Sequence, residues 1–360
     1  MPLTTARAGL TPQQWDDEFF TAYVRENRFN PYMGTDENSV IQVKEDLTKK
    51  KGDSLTFALV NELTGAGQTT GLLEGNEEAL DSRSMKLTVG PIRHAVAISD
   101  WDEQKSSIDL RNAGKAMLKA WCMTKMRSDI ITALGSINGV AYASASAANR
   151  NEWMVDNADR VVVGALKSNY SATHATALLN IDNTADKLTP AAISLMKRTA
   201  QNSANKIRPI KTKGDQEWYV MFANQRAFRD LSLDTTMTQA NRDARARGVM
   251  DNPIFVGGEL VWDGVIIREI PEIPILTGVG AGAIDVAPVY LCGAQAIGVG
   301  FAQRTKTTTE VRDYGFVHGV AVQEMRGIQK LTFGTNAGTE LGDLKDHGLV
   351  TGFFAAVADA

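Results

Sequence analysis

The sequence predicts an α+β fold. Three observations carry that reading. A helical apolar stripe runs across residues 100–134, strand-like stretches lie on both sides of it, and strands and helices follow no ordered alternation.

The elements can be justified in chain order. Residues 11–27 predict a short amphipathic helix, with Thr11 as N-cap, Pro12 in the first turn, and Asp16, Asp17 and Glu18 following. Trp15, Phe19, Phe20 and Tyr23 share one face. A helix this short needs a surface to pack on, in its own domain or on a neighbouring subunit. Ser54–Leu63 and Ser84–Ile98 read as extended, the second with a register change at Gly90-Pro91. Between them, TGAGQTTGLLEGNEEALDSR holds four glycines, four acids (Glu74, Glu77, Glu78, Asp81) and a single cation, Arg83. Two extended stretches joined by so long and polar a tip predict a projecting hairpin.

Asp100–Leu134 predicts one long helix capped by Asp100 or Asp102. Its stripe is Ile108, Leu110, Ala113, Met117, Ala120, Trp121, Ile130, Ile131 and Leu134. A rod of roughly 30 residues would be about 45 Å long. The pattern fades over 135–187, where AYASASAANRN predicts a mobile loop. Thr189 and Pro190 then open a helix with Ile193, Met196 and Ala200 on one face. Glu217–Ala223 predicts a buried strand and Gln225–Leu231 a short helix. Thr236–Gly248 is polar and basic, with Arg242, Arg245 and Arg247. Val256–Ile270 predicts a hairpin turning at Asp263-Gly264. Val289–Phe301, Thr305–Val311 and Phe316–Phe333 supply further strands and a short helix, and no internal repeat appears.

Composition excludes more than it selects. With 360 residues the chain is long enough for two to three domains and a substantial core. A formal charge of −4 argues against a general nucleic-acid binder. Two cysteines, Cys122 and Cys292, rule out a disulfide scaffold and a four-cysteine zinc site. No apolar run has the length of a signal peptide or a membrane span, so a reducing cytoplasm is the expected place of synthesis.

No catalytic, cofactor or metal site is predicted. The loop Gly65–Gly71 follows a strand, but it has the wrong glycine spacing for a dinucleotide fingerprint and leads into acids that repel a pyrophosphate. The glycines at 278, 280 and 282 lack the Lys-Ser/Thr of a phosphate loop, and no G-x-S-x-G elbow occurs. Cys122 and Cys292 lie in apolar runs and read as core thiols. His94 and His318 lie in strands and His174 and His347 in polar loops, with no metal-ligand spacing. Asp100, Asp102 and Glu103 suit a helix N-terminus without a metal. Arg242, Arg245 and Arg247 could meet phosphate or a partner's carboxylates; a solvated helix face is the blander reading.

The order of elements resembles that of tailed-bacteriophage major capsid proteins with the HK97-like fold. WDDEFFTAYVRENRFNPYMG is similar to the family's N-terminal arm, and LVNELTGAGQTTGLLEGNEEAL to its extended loop (E-loop). RHAVAISDWDEQKSSIDLRNAGKAMLKAW is similar to the strand and spine helix of the peripheral (P) domain. The second half matches by pattern: LTPAAISLMKRTA resembles a helix of the axial (A) domain, and VYLCGAQAIGVGFAQRTKTTTEVRD a return through it.

The resemblance implies an arm over 1–52, an E-loop hairpin over 53–93 and a P domain over 94–137. An A domain would follow over 138–320, with a return to the P domain over 321–360. It implies no catalytic residues and no cofactor. It implies hexamers and pentamers tiling a shell around double-stranded DNA in the virion, with separate scaffolding, portal and decoration proteins as partners. Trp15, Phe19 and Phe20 would be apolar anchors between subunits. The acids Glu74, Glu77, Glu78 and Asp81 would pair with Arg242, Arg245 and Arg247, or with Lys49–Lys51, on a neighbour. A wall of net charge −4 per subunit need not grip the DNA it encloses. Two alternatives are a nucleotide-dependent oxidoreductase using the 65–71 loop and another virion component, such as a tail-tube or decoration protein; the latter leaves the long helix without a use.

Overall fold

A computed structural model describes residues 28–48, 52–60, 69, 82–106, 109–203, 205–212, 216–245, 260–334 and 344–359. The chain enters through two short strands, β1 (Met33–Gly34) and β2 (Ile41–Lys44). Strands β3 (Ser54–Val60) and β4 (Ser82–Thr88) pair with each other, and β5 (Gly90–Ser99) follows. Helices α1 (Asp100–Lys105), α2 (Leu110–Leu134) and α3 (Ala147–Asp156) come next, then β6 (Val161–Val163), α4 (His174–Leu179) and α5 (Pro190–Asn202). Strands β7 (Ile210–Thr212) and β8 (Gln216–Ala223) lead to α6 (Gln225–Leu233) and α7 (Thr235–Arg245). The hairpin of β9 (Leu260–Trp262) and β10 (Val265–Glu269) precedes β11 (Val286–Cys292) and β12 (Ile297–Arg312). The chain closes through β13 (Val317–Lys330), β14 (Thr332–Phe333), β15 (Lys345–Asp346) and β16 (Leu349–Ala355).

The described residues divide into two compact units. The first draws on the described residues within 28–55, 87–136 and 297–329; the second draws on those within 56–86, 137–296 and 330–359. This differs from the expected division at 138–320 and 321–360. Strand β12 belongs to the sheet of the first unit, and β16 is an inner strand of the second unit's sheet. Strand pairing decides the assignment, and sequence order does not reveal it.

The first unit is a five-stranded sheet, ordered β1-β2-β12-β13-β5, with α2 lying against it. Strands β13 and β5 pair antiparallel from Val317↔Ser99 to Arg326↔Gly90. The expected single helix over 100–134 is two. Ser99 caps α1, accepting from the Asp102 N–H at 3.1 Å while its hydroxyl donates to the Asp102 carboxylate at 2.6 Å. Ser106 is extended, and Asp109 caps α2 by accepting from the Asn112 N–H at 3.1 Å. A short polar residue able to bond its own backbone competes with helix propagation, which explains the break. The buried stripe of α2 is Leu118, Cys122, Met126 and Ile130, at four-residue spacing. Met117, expected inside, is 66% exposed.

The second unit is built on a mixed seven-stranded sheet, ordered β6-β16-β11-β8-β10-β9 with β7 beside β8. Successive side chains of a strand point to opposite faces, so both faces of this sheet need a cover. On one face Met221, Val289, Leu291, Val350 and Phe354 pack with Ile193 and Met196 of α5 and Leu231 of α6. On the other, Val161, Val163, Phe353 and Ala355 pack with Trp153 and Met154 of α3 and Leu178 of α4. The predicted caps hold here. Thr189 accepts from the Ala192 N–H at 3.3 Å, with Pro190 first in the helix. The turn Asp263-Gly264 adopts φ of 48° and 74°, the left-handed pair that a tight hairpin requires.

Residues 135–187, expected as a weakly structured stretch with a mobile loop, contain α3, β6 and α4. His174, expected in a polar loop, is buried instead, and His347, also expected in one, is half-buried. His174 is buried between Tyr142 and Phe353, and the His347 ring meets Phe333 edge-on.

Candidate assembly surfaces

The residues predicted to contact neighbouring subunits fall largely outside the described residues. That holds for Trp15, Phe19 and Phe20, for Glu74, Glu77, Glu78 and Asp81, and for Arg247. Arg242 and Arg245 lie on α7.

The structure instead exposes an apolar tip on the first unit. β12 and β13 are joined by the turn Asp313–Gly315, where Asp313 and Tyr314 take φ of 49° and 50° ahead of Gly315 at 98°. Left-handed backbone is costly for a bulky side chain and persists where the surroundings hold it. Here it leaves Tyr314 fully exposed, flanked by the exposed Val311 and Phe316. The Asp100 N–H donates to the Phe316 carbonyl at 2.9 Å, which brings the start of α1 and the 57%-exposed Trp101 to the same end of the sheet. Asp100 also accepts from Arg111 at 2.8 Å and lies 3.1 Å from His318, while Arg111 reaches Glu103 at 2.6 Å. Exposed large apolar side chains grouped beside charges of both signs have the make-up of a protein contact surface. The sequence marker is the D-Y-G turn between two long extended runs; the apolar residues around it read as ordinary strand positions.

Behind these surfaces, each unit is held by a buried charge network. In the first, Arg326 on β13 bonds Glu324 and reaches Asp129 of α2 at 2.8 Å, while Thr305 of β12 donates to Glu324 at 3.0 Å. In the second, Lys330 and Asp346, both 2% exposed, pair at 2.7 Å, and the Trp153 indole donates to the same carboxylate oxygen at 3.1 Å. Buried Arg160 donates to the backbone carbonyls of Asp346 and His347 and, at 2.7 Å, of Asn205. Charges so enclosed must be paired, and the geometry they demand fixes the register of the strands that carry them. Sequence reading missed all of them, because a charge within a strand pattern reads as solvent-facing.

The reactive groups are enclosed as well. Burial, with Glu324 adding to it, pushes the Cys122 thiol up to about 12, and burial raises Cys292 further. Thiols so rarely ionised are poor nucleophiles. Burial first, then nearby Arg150, lowers His174 to about 4. Among the described residues no group of three or more His, Cys, Asp or Glu is placed to hold a metal ion, and no helix is long and apolar enough to cross a membrane.

Known proteins resemble this chain along nearly its whole length. The profile of the family described as "Phage capsid protein" matches residues 4–357. The major capsid protein of Pseudomonas phage KPP25 is 28% identical, over 97% of this chain and 97% of its own length. Among solved structures, the capsid asymmetric unit of cyanophage Pam1 is 38% identical, with a TM-score of 0.83 over 94% of both chains. The capsid of Ralstonia phage GP4 shares the fold, with a TM-score of 0.74 at 22% identity over 93% of this chain and 92% of its own. A catalogue of enclosed thiols, paired interior charges and an outward apolar tip thus belongs to a chain whose full length matches shell-forming proteins: it is a member of the phage capsid protein family.

Proposed function

We propose that this chain is the major capsid protein of a tailed phage, assembling into the icosahedral shell that encloses double-stranded DNA. The observation that carries this reading is the 38% identity to the Pam1 capsid subunit across 94% of both chains, with the same fold throughout. A shell of many copies needs each subunit to be rigid within and adhesive without. The buried ion networks give the first property and the exposed tip around Tyr314 the second. In this reading the first unit is the P domain with its spine helix α2, and the second is the A domain. β3 and β4 are the base of the E-loop.

The finer parts of the proposal follow from the same logic. Copies form hexamers and pentamers, and a separate scaffolding protein and a portal take part in assembly in the host cytoplasm. The chain acts as a structural protein and not as an enzyme. Overexpression of the full chain followed by electron microscopy tests this: closed shells are expected, whereas tubes, or particles of no defined form even with phage scaffolding protein supplied, would contradict it.

A further inference from the structure

Helix α5 has two working faces. Ile193, Met196 and Ala200 pack into the core of the second unit. Leu195, Arg198, Thr199 and Asn202 recur at three- and four-residue spacing along another face, where they wall a groove of about 600 Å³. A second wall is the loop after β6, with the 56%-exposed Leu166, Lys167 and Tyr170. That loop is held in place. Asp186, 1% exposed, accepts from the Ala165 N–H at 2.8 Å and from Asn169 at 3.0 Å. Gly164 sits at φ 59°, where any Cβ would overlap the Asp186 carboxylate. The groove is therefore formed before anything enters it, and its volume lies in the range of small-molecule sites.

Its polar groups are not equally available. The Tyr170 hydroxyl donates to the Met154 carbonyl at 2.6 Å and the Thr199 hydroxyl to the Leu195 carbonyl at 2.9 Å, so both are spent within the chain. The lining acid Asp159 is faced by Arg160 at 3.7 Å and Lys345 at 3.6 Å. Lys167 and Arg198 have no ion-pair partner among the described residues. Two uncommitted cations beside Val162, Leu166 and Leu195 give the groove an apolar body and a positive end.

We infer that this groove binds a small amphiphilic anion, a medium-length hydrocarbon tail ending in one carboxylate. The tail lies against Val162, Leu166 and Leu195, and the carboxylate takes charge-assisted hydrogen bonds from Arg198 and Lys167. Other ligand classes fit the same walls less well. An inorganic anion leaves the apolar walls uncovered. A neutral hydrocarbon strips water from two cations and gives them no partner. A nucleoside needs polar partners for its base and sugar, and the hydroxyls of the groove are already used. Held between α5 and the loop, the ligand stabilises the second unit by mass action. Such binding is independent of the shell-forming function proposed above.

Titration calorimetry of the full chain with octanoate tests it. Binding should saturate at one octanoate per chain, and the melting temperature should rise with octanoate concentration. Octanol keeps the tail without the charge, and acetate keeps the charge without the tail; each should bind at least about tenfold more weakly. Lys167→Ala with Arg198→Ala should weaken octanoate binding by at least about tenfold. The same double variant should leave the ligand-free melting temperature unchanged, because both side chains are exposed. No saturable octanoate binding at millimolar concentration, equal affinity for octanol, or binding untouched by the double variant would overturn the inference. The ligand comparisons use the unaltered chain, so they decide the matter even where the variant misfolds.

Discussion

The two sheets spend their apolar residues differently. In the second unit every residue of β11 and of β16 is buried. In the first unit no residue of β5 is buried, and β12 is buried over its first five residues and at Thr305 and Thr307 before it opens toward the Tyr314 tip. A sheet covered by helices on both faces is complete by itself. A sheet with one long helix against it and half-wet strands is a wall element, and its remaining apolar surface is there to be covered by copies of itself. The contrast teaches that stability is concentrated in one unit and adhesion in the other.

The largest expected effect breaks the self-sufficient half. Phe354 is fully buried among Met196, Val289 and Val350. Phe354→Ala should cost about 3–5 kcal/mol and leave most of the chain insoluble, read out by denaturant melting of the soluble fraction. A loss under about 1 kcal/mol would deny the second unit its role as the stability centre.

A smaller effect comes from acid. Burial, then Arg150, holds His174 at about 4; burial, then Arg160 and Arg208, does the same for His347. The unfolded chain takes up these protons near pH 6.5, whereas the folded chain takes them up only near pH 4. Their contribution is therefore complete above pH 6.5 and is lost as pH falls toward 4, by at most about 3 kcal/mol per histidine. Melting temperature should drop over that window, and a His174→Gln, His347→Gln double variant should show a shallower drop. Equal slopes would mean the histidines titrate normally.

The smallest effect on the isolated chain sharpens the comparison most. Tyr314→Ser should change stability by no more than about 0.5 kcal/mol, since the ring touches solvent. Shell yield should nevertheless fall. An unchanged yield would remove the tip from the assembly surface.

How much of this was legible in the sequence depends on how local the cause is. Thr189-Pro190 and Asp263-Gly264 announce their cap and their turn, because the physics acts within a few residues. The stretch 138–187 hid two helices and a strand behind small and polar residues. Val161–Val163 becomes a strand because β16, nearly two hundred residues later, pairs with it. Met117 was misplaced on α2 because a period alone does not say which of two adjacent stripes meets the sheet. The Lys330–Asp346–Trp153 cluster was invisible for the same reason: it joins segments far apart in the chain.

Amide hydrogen exchange, compared between dispersed subunits and assembled shells, tests the division of labour most directly. The account predicts that β11 and β16 are protected equally in both states, while β5 and the 311–317 tip become protected only in the shell. Slow exchange of the tip in free subunits, or no gain on assembly, would contradict it.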